Sequence, residues 1–201
     1  MIDIEDTVFL TALRNGDRDT FAKLVDLTSA QIYHTALRIL GNEQDAEDVL
    51  QETYMKALKA LPDFEGRSSL STWLHRIAVN EALMILRKQK PQIFSVDEKE
   101  VFDPETESEG MDIVDFCCLP EGELLTGESR LFMDQAIQRL PENLKTVFIL
   151  RDLEDFSIQE TAEILKISES NVKIRLLRAR LRLRQELSEY YGEKVKKEKS
   201  K

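Results

Sequence analysis

The stretch KIRLLRARLRLR, Lys173 to Arg184, sets six cations and no acid within twelve residues. Guanidinium and ammonium groups repeated along one helix neutralise phosphates, and such contacts supply much of the affinity and salt dependence of nucleic-acid binding. Without an anion they would repel one another. The chain offers little other chemistry. His34 and His75 are its only histidines, and it has neither a glycine-rich phosphate loop nor a nucleophile elbow. Asp45, Asp48 and Glu52 have no second cluster to complete a metal site. Cys117 beside Cys118 lacks CxxC spacing, and a disulfide between neighbours would close a strained ring. No catalytic residue, metal or cofactor is therefore expected, and recognition of a polyanion is.

The basic run needs elements to present it. Ser157-Ile158-Gln159-Glu160 is a capping box that starts one short helix, and Lys166-Ile167-Ser168 interrupts the pattern. Ser168 then caps a second helix in which Val172, Leu176, Ala179 and Leu183 turn inward. Ser170, Asn171, Lys173, Arg175, Arg178 and Arg182 are left largely outward. Two helices joined by a tight turn, the second opening with small polar residues and running into arginine, form the layout of a helix-turn-helix. Leu131, Phe132, Ala136, Ile137 and Leu140 predict a helix ahead of Pro141, and PENLKTVFILRDL another behind it.

The amino-terminal block is helical as well. Phe21, Leu24, Val25, Ile32, Ala36, Leu37 and Leu40 keep one face of a helix that Gly41 stops. The next helix starts near Asn42, buries Ala46, Val49, Leu50, Thr53, Ala57, Leu58 and Leu61, and ends at Pro62. Asp45, Asp48 and Glu52, with Gln51 beside them, stand on its exposed face, either as a solvated stripe or as a surface for a basic partner. After the loop DFEGRSS comes a helix capped by Ser69 or Ser71, with Leu70, Trp73, Leu74, Ile77, Ala78 and Ile85 inward. On its other face Arg76 and Asn80 lie one turn apart with His75 beside them, a pairing able to meet phosphate and base edges. Arg87, Lys88 and Lys90 extend the basic character to the helix end. His34 is expected at the edge of the core.

These cations sit in an acidic protein of 201 residues and formal net charge -10. From Ser95 to Ser129, however, twelve acids face Lys99 alone, a net of -11, so the remainder of the chain is close to +1. That segment also holds Pro104, Gly110, Pro120, Gly122 and Gly127 and reads as a linker between two blocks. The acidic opening and the lack of a long apolar run argue against a signal peptide and a membrane span, so a cytoplasmic protein is expected. The expected fold is all-α: two small helical domains on an acidic flexible linker. The boundaries are 1–92 and 129–190 for the domains, 93–128 for the linker and 191–201 for a basic, frayed tail.

With these segments in hand, the chain resembles the extracytoplasmic-function sigma factors, the specificity subunits of bacterial RNA polymerase. DAEDVLQETYMKAL, FEGRSSLSTWLHRIAVNEA and LPENLKTVFILRDLEDFSIQETAEILKISESNVKIRLLRARLRLR are similar to that family's core-binding helix, promoter-melting helix and carboxy-terminal helix-turn-helix, in order. The resemblance implies that Asp45, Asp48, Gln51 and Glu52 dock on the coiled coil of the polymerase's largest subunit. It places Phe64, Arg67, Ser69, Arg76, Asn80, Arg87 and Lys88 at the minus-ten element, where the loop from Phe64 to Ser71 captures an everted base and Trp73 is chiefly packing. It assigns Ser168, Ser170, Asn171, Lys173, Arg175 and Arg178 to the minus-thirty-five element. It implies core polymerase (coiled coil and flap), promoter DNA and an anti-sigma factor as partners. Two positions depart from the family pattern: Lys166 where glycine is common in the turn, and Thr161 where an aliphatic residue is common. A conventional helix-turn-helix regulator that binds duplex DNA without polymerase is the alternative. In the family the linker threads toward the polymerase's active centre. Its -11 charge is then expected to imitate RNA there, with Ile113, Val114, Phe116 and Leu119 docking on a partner or closing the domains. Replacing the linker acids by their amides is expected to alter abortive synthesis; initiation and abortive products identical to the parent's would remove the mimicry.

Overall fold

Local rules start and stop each helix. In this computed structural model, which describes residues 6–89 and 127–198, α1 spans Thr7–Arg14, α2 Arg18–Leu40, α3 Glu43–Ala60 and α4 Leu70–Gln89. Asp17 caps α2 by accepting from the Thr20 amide at 2.8 Å, and Gly41 ends it in the left-handed region at φ 71°. Asn42 caps α3, and a 3₁₀ turn at Leu61–Asp63 carries the chain past Pro62. Of the two candidate caps for α4 it is Ser69 that accepts from the Thr72 amide, at 3.0 Å. The linker with its two cysteines and the stretch Ile113 to Leu119 lies outside the described residues.

The carboxy-terminal block begins with α5 at Gly127–Arg139, two residues before the expected boundary, followed by α6 at Glu142–Phe148. α6 runs into a π-helical turn, Ile149–Leu153, before α7 at Ile158–Leu165 and α8 at Glu169–Glu198. The capping box of Ser157 and Glu160 is formed in both directions, and Ser168 caps α8. α8 continues as helix through Glu198, so no structural break separates the expected tail at 191 from the domain. Every regular element among the described residues is helical.

The two expected helical domains are present, and in the structure they also pack against each other. Buried side chains from Leu13 to Leu183 form one contiguous cluster through both blocks. α4 packs against α7, while α2 touches α6 and the π turn. The cause is visible on α4. Besides the expected stripe of Leu70, Trp73, Leu74 and Ala78, its second face (Thr72, His75, Val79, Ala82) is buried too. His75, expected beside Arg76 and Asn80 on an open face, is 1% exposed. Its ring meets Phe156 edge-on at 4.6 Å between centroids. Two smaller expectations also shift: His34 is exposed, and Leu58 faces solvent at 53%.

The joint is tied at three further points. Arg38 pairs with Glu154, Gln138 Nε2 donates to the Arg38 carbonyl at 2.7 Å, and the Thr72 hydroxyl donates to Glu160 Oε1 at 3.2 Å. Gly41 stands under Gln138, whose Oε1 lies 3.1 Å from where a Cβ would be. A side chain at that position would meet both an unfavourable φ and a neighbour.

His75 makes the packing sensitive to protons. Nδ1–H donates to the Ser71 carbonyl at 2.9 Å, while Nε2 is buried without a partner. Burial holds the imidazole below its ordinary value; the bond to Ser71 and the negative charge of Glu154 oppose this more weakly. At pH above about 6.5 the ring is neutral whether packed or free. As pH falls below that value the unfolded chain takes up a proton that the packed ring resists, so stability is expected to decline. Thermal unfolding between pH 8 and pH 5.5 should show a falling midpoint, and His75→Leu should flatten that profile. A parent midpoint that holds constant or rises toward acid would contradict this account.

Candidate nucleic-acid interface

The sequence from Leu61 to Arg76 builds a depression of about 440 Å³ on the amino-terminal block. Its floor is aromatic. Phe64, 6% exposed, packs against Trp73 at 5.1 Å between centroids, and the Arg14 guanidinium lies over its ring at 5.8 Å. Phe64 thus serves the core and lines the depression from beneath. Gly66, at φ 73°, turns the chain so that Glu65, Arg67 and Ser68 form the rim. Arg67 is highly exposed and pairs with Glu65; Ser69 is occupied in capping. From α4, Arg76 reaches the depression and Asn80 lies exposed one turn on. Arg87 and Lys88 are exposed at the end of the helix, away from the residues lining the depression. An aromatic floor with a cationic rim offers stacking to a base and charge to its phosphates.

Sequence reasoning missed two members of this site. Arg14, from α1, supports the floor through its contact with Phe64, and Glu163, from α7 of the other block, lines the depression. Neither carries a local signal, because both arrive through tertiary packing.

On α3, Asp48 and Gln51 are exposed, while Asp45 and Glu52 are half-buried. Gln89 Nε2 donates to Asp45 Oδ2 at 3.0 Å. Lys56 bridges Glu52 at 3.4 Å and Glu81 at 2.6 Å, and the bond to Glu81 chiefly holds its ammonium above the usual lysine range. Two of the four predicted residues are therefore engaged within the chain, and Asp48 with Gln51 is the open part of the stripe.

The helix-turn-helix geometry follows from α6 to α8. Val172, Leu176, Ala179 and Leu183 are buried as expected, and Ser168, Ser170 and Lys173 are exposed at the start of α8. Asn171, Arg175 and Arg178 are half-buried on the same flank. Among the six cations, Arg180 makes two bonds to Asp152, at 2.9 and 2.8 Å, tying α8 to the π turn. Lys166 adopts the left-handed conformation at φ 55°, ψ 44° that the turn requires. Thr161 is fully buried with its hydroxyl unpartnered, an aliphatic position held by a slightly smaller polar residue.

Comparison with known proteins matches this layout. A family model for sigma-70 region 2 covers residues 24–92, and one for sigma-70 region 4 covers 133–183. The ECF RNA polymerase sigma factor SigW of Bacillus subtilis is 35% identical over 175 residues, 87% of this chain and 92% of that protein. The ECF RNA polymerase sigma-E factor of Escherichia coli is 32% identical over 179 residues, 88% and 91% of the two chains. Among solved structures, CnrH in complex with the cytosolic domain of CnrY has a similar fold, with TM-score 0.65, 22% identity and coverage of 92% and 97%. The sigma factor RpoE of Bartonella quintana, in complex with the anti-sigma factor NepR, gives TM-score 0.60 at 26% identity over 84% and 96%.

The left-handed Lys166 yields a direct test of the turn. Glycine there is relieved of the Cβ penalty and is expected to stabilise the chain by about 0.5–1 kcal/mol, whereas β-branched valine should destabilise it. Urea unfolding of Lys166→Gly and Lys166→Val reads both signs; equal midpoints would mean that the turn has another geometry.

Proposed function

This chain belongs to the extracytoplasmic-function sigma factors, and from that membership we propose the roles of its surfaces in promoter-directed initiation. It directs RNA polymerase core to promoters and is regulated by an anti-sigma factor, as the sigma and anti-sigma complex among its structural neighbours supports. The domain that reads the minus-ten element is 1–92, and the domain that reads the minus-thirty-five element is 129–190, with 93–128 as the linker. The protein acts in the cytoplasm with polymerase and performs no catalysis of its own. None of its helices is long and apolar enough to cross a membrane, among the described residues.

One observation carries the assignment of surfaces: a single chain holds both an aromatic-floored, cation-rimmed depression and a basic recognition helix. The depression, rimmed by Arg67 and Arg76, suits an unstacked base of the minus-ten strand, and Asn80 extends that surface along α4. Arg87 and Lys88 would hold the flanking backbone. Ser168, Ser170 and Asn171 suit base edges of the minus-thirty-five element, and Lys173, Arg175 and Arg178 suit its phosphates. Asp48 and Gln51, with Asp45 and Glu52 beside them, suit the basic coiled coil of the largest polymerase subunit. Region 4 would meet the flap. Docking on polymerase fixes the spacing of two modules that each bind weakly and so raises their effective concentration.

Transcription of promoter-containing fragments by purified core polymerase, with and without the protein, tests this reading. Specific initiation only in its presence is expected. Asp48→Lys should weaken association with core about tenfold, more at low salt than at high. Arg178→Ala should lower promoter affinity and reduce the salt slope by about one charge. Protection of duplex sites by the protein alone, with no initiation and no association with core, would assign it instead to the conventional regulators.

A further inference from the structure

The loop that lines the depression has little backbone support of its own. At its start the Phe64 amide donates to the Leu61 carbonyl at 3.0 Å, and at its end Ser69 caps α4. Among the described residues, no backbone–backbone hydrogen bond fixes Glu65, Gly66, Arg67 or Ser68 between them. Segments of this kind open locally at low cost, so a binding site built on one must be held in shape by its neighbours. The shape of this loop therefore rests on the side chains packed against it.

Arg14 is one of these, and it comes from outside the matched region. The sigma-70 region 2 model begins at residue 24, beyond α1. Leu13 anchors the end of α1 in the core, and α1 packs on the 3₁₀ turn Leu61–Asp63. Arg14 follows as the last residue of the helix. Its guanidinium lies over the Phe64 ring at 5.8 Å, and its Nη2 is 3.5 Å from the position that a Cβ would take at Gly66. One planar group thus supports the ring at the start of the loop and the turn two residues later. A cation at a helix end also complements the backbone dipole, but that role needs neither contact. Arg14 is not among the residues that line the depression, so its effect on a bound base passes through the loop.

We infer that Arg14 is a positioning residue for base capture: it holds Phe64 and Gly66 so that Glu65, Arg67 and Ser68 keep the rim in the shape an unstacked base requires. α1 is then part of the minus-ten machinery although it contributes no group to the surface the strand touches. This rests on the assignment of the depression to the minus-ten strand. The contribution is preorganisation, since a loop already in its binding shape loses less free energy to ordering when the base enters. Two signatures separate it from a phosphate contact made by the same cation. Positioning acts only where a base fills the depression, and it leaves the number of neutralised phosphates, and hence the salt slope, unchanged. The contact with the ring asks for a cation, which lysine supplies and alanine does not.

The test uses holoenzyme assembled from core polymerase and the full-length protein. The probes are fluorescein-labelled non-template strands of the promoter recovered by transcription. An abasic scan with the parent identifies the captured nucleotide as the position where loss of the base weakens binding most. Anisotropy is expected to show Arg14→Ala binding the intact strand about fivefold more weakly than the parent, and binding the strand that is abasic at that position as the parent does. Its salt slope and its association with core should equal the parent's. Arg14→Lys should recover most of the affinity for the intact strand. Equal weakening on both strands, a slope reduced by about one charge, or lysine no better than alanine overturns the inference, as does undiminished binding of the intact strand by Arg14→Ala. A parent scan without a base-sensitive position would instead remove the assignment of the depression, so the two failures are told apart.

Discussion

The edge of the Phe156 ring on His75 is the contact on which the arrangement of this molecule depends. Each domain has a helical core that local rules can build, and neither core by itself explains why α4 is buried on two sides. The answer lies across the joint, where an aromatic ring, a neutral imidazole and a partly buried ion pair meet. The contact is mixed in polarity. Such surfaces hold two bodies together without making them inseparable, as transient interfaces within a chain commonly do. Leaving Nε2 of His75 unsatisfied in the closed state costs free energy that a better-matched core residue would not. The residue is thus poorly suited to permanent burial and well suited to a joint that opens.

Charge is partitioned along the chain with the same economy. The net negative charge is concentrated between the domains, and the rest of the chain is close to neutral. Within each domain some charges serve as internal fastenings. Arg180 holds α8 to the π turn through Asp152, and Lys56 holds α3 to α4 through Glu81. Others are exposed: Asp48 and Gln51 on α3, Arg67, Asn80, Arg87 and Lys88 on and before α4, and Ser168, Ser170 and Lys173 at the start of α8.

Most helices were legible in the sequence because their boundaries rest on local chemistry. The capping box at Ser157, the Ser168 cap, Gly41 and Pro62 each satisfy or remove particular backbone groups, and they act the same way in any context. The inward stripe of α8 was legible for a similar reason, since Val172, Leu176, Ala179 and Leu183 repeat at the helical period. The second buried face of α4 was not. Thr72 and His75 are polar, so periodicity assigns them to solvent, and only a neighbour distant in sequence reverses this. Arg14 and Glu163 at the depression were hidden likewise. The π turn was hidden too, because its spacing differs from that of an α-helix by one residue per turn within a run of Phe, Ile and Leu that suits either.

The two-sided burial of α4 also bears on how the protein is made. The last residue of α4, Gln89, is synthesised 67 residues before Phe156. At bacterial elongation rates of about 5–20 residues per second, the first domain waits on the order of 3–13 s for its cover. During that interval Thr72, His75 and Val79 face water on the nascent chain. Two of the three carry polar groups that water can satisfy, and a stripe of leucine there would instead present a sticky surface to chaperones and neighbouring polysomes. The polarity that makes this joint an imperfect core makes it tolerable on the ribosome.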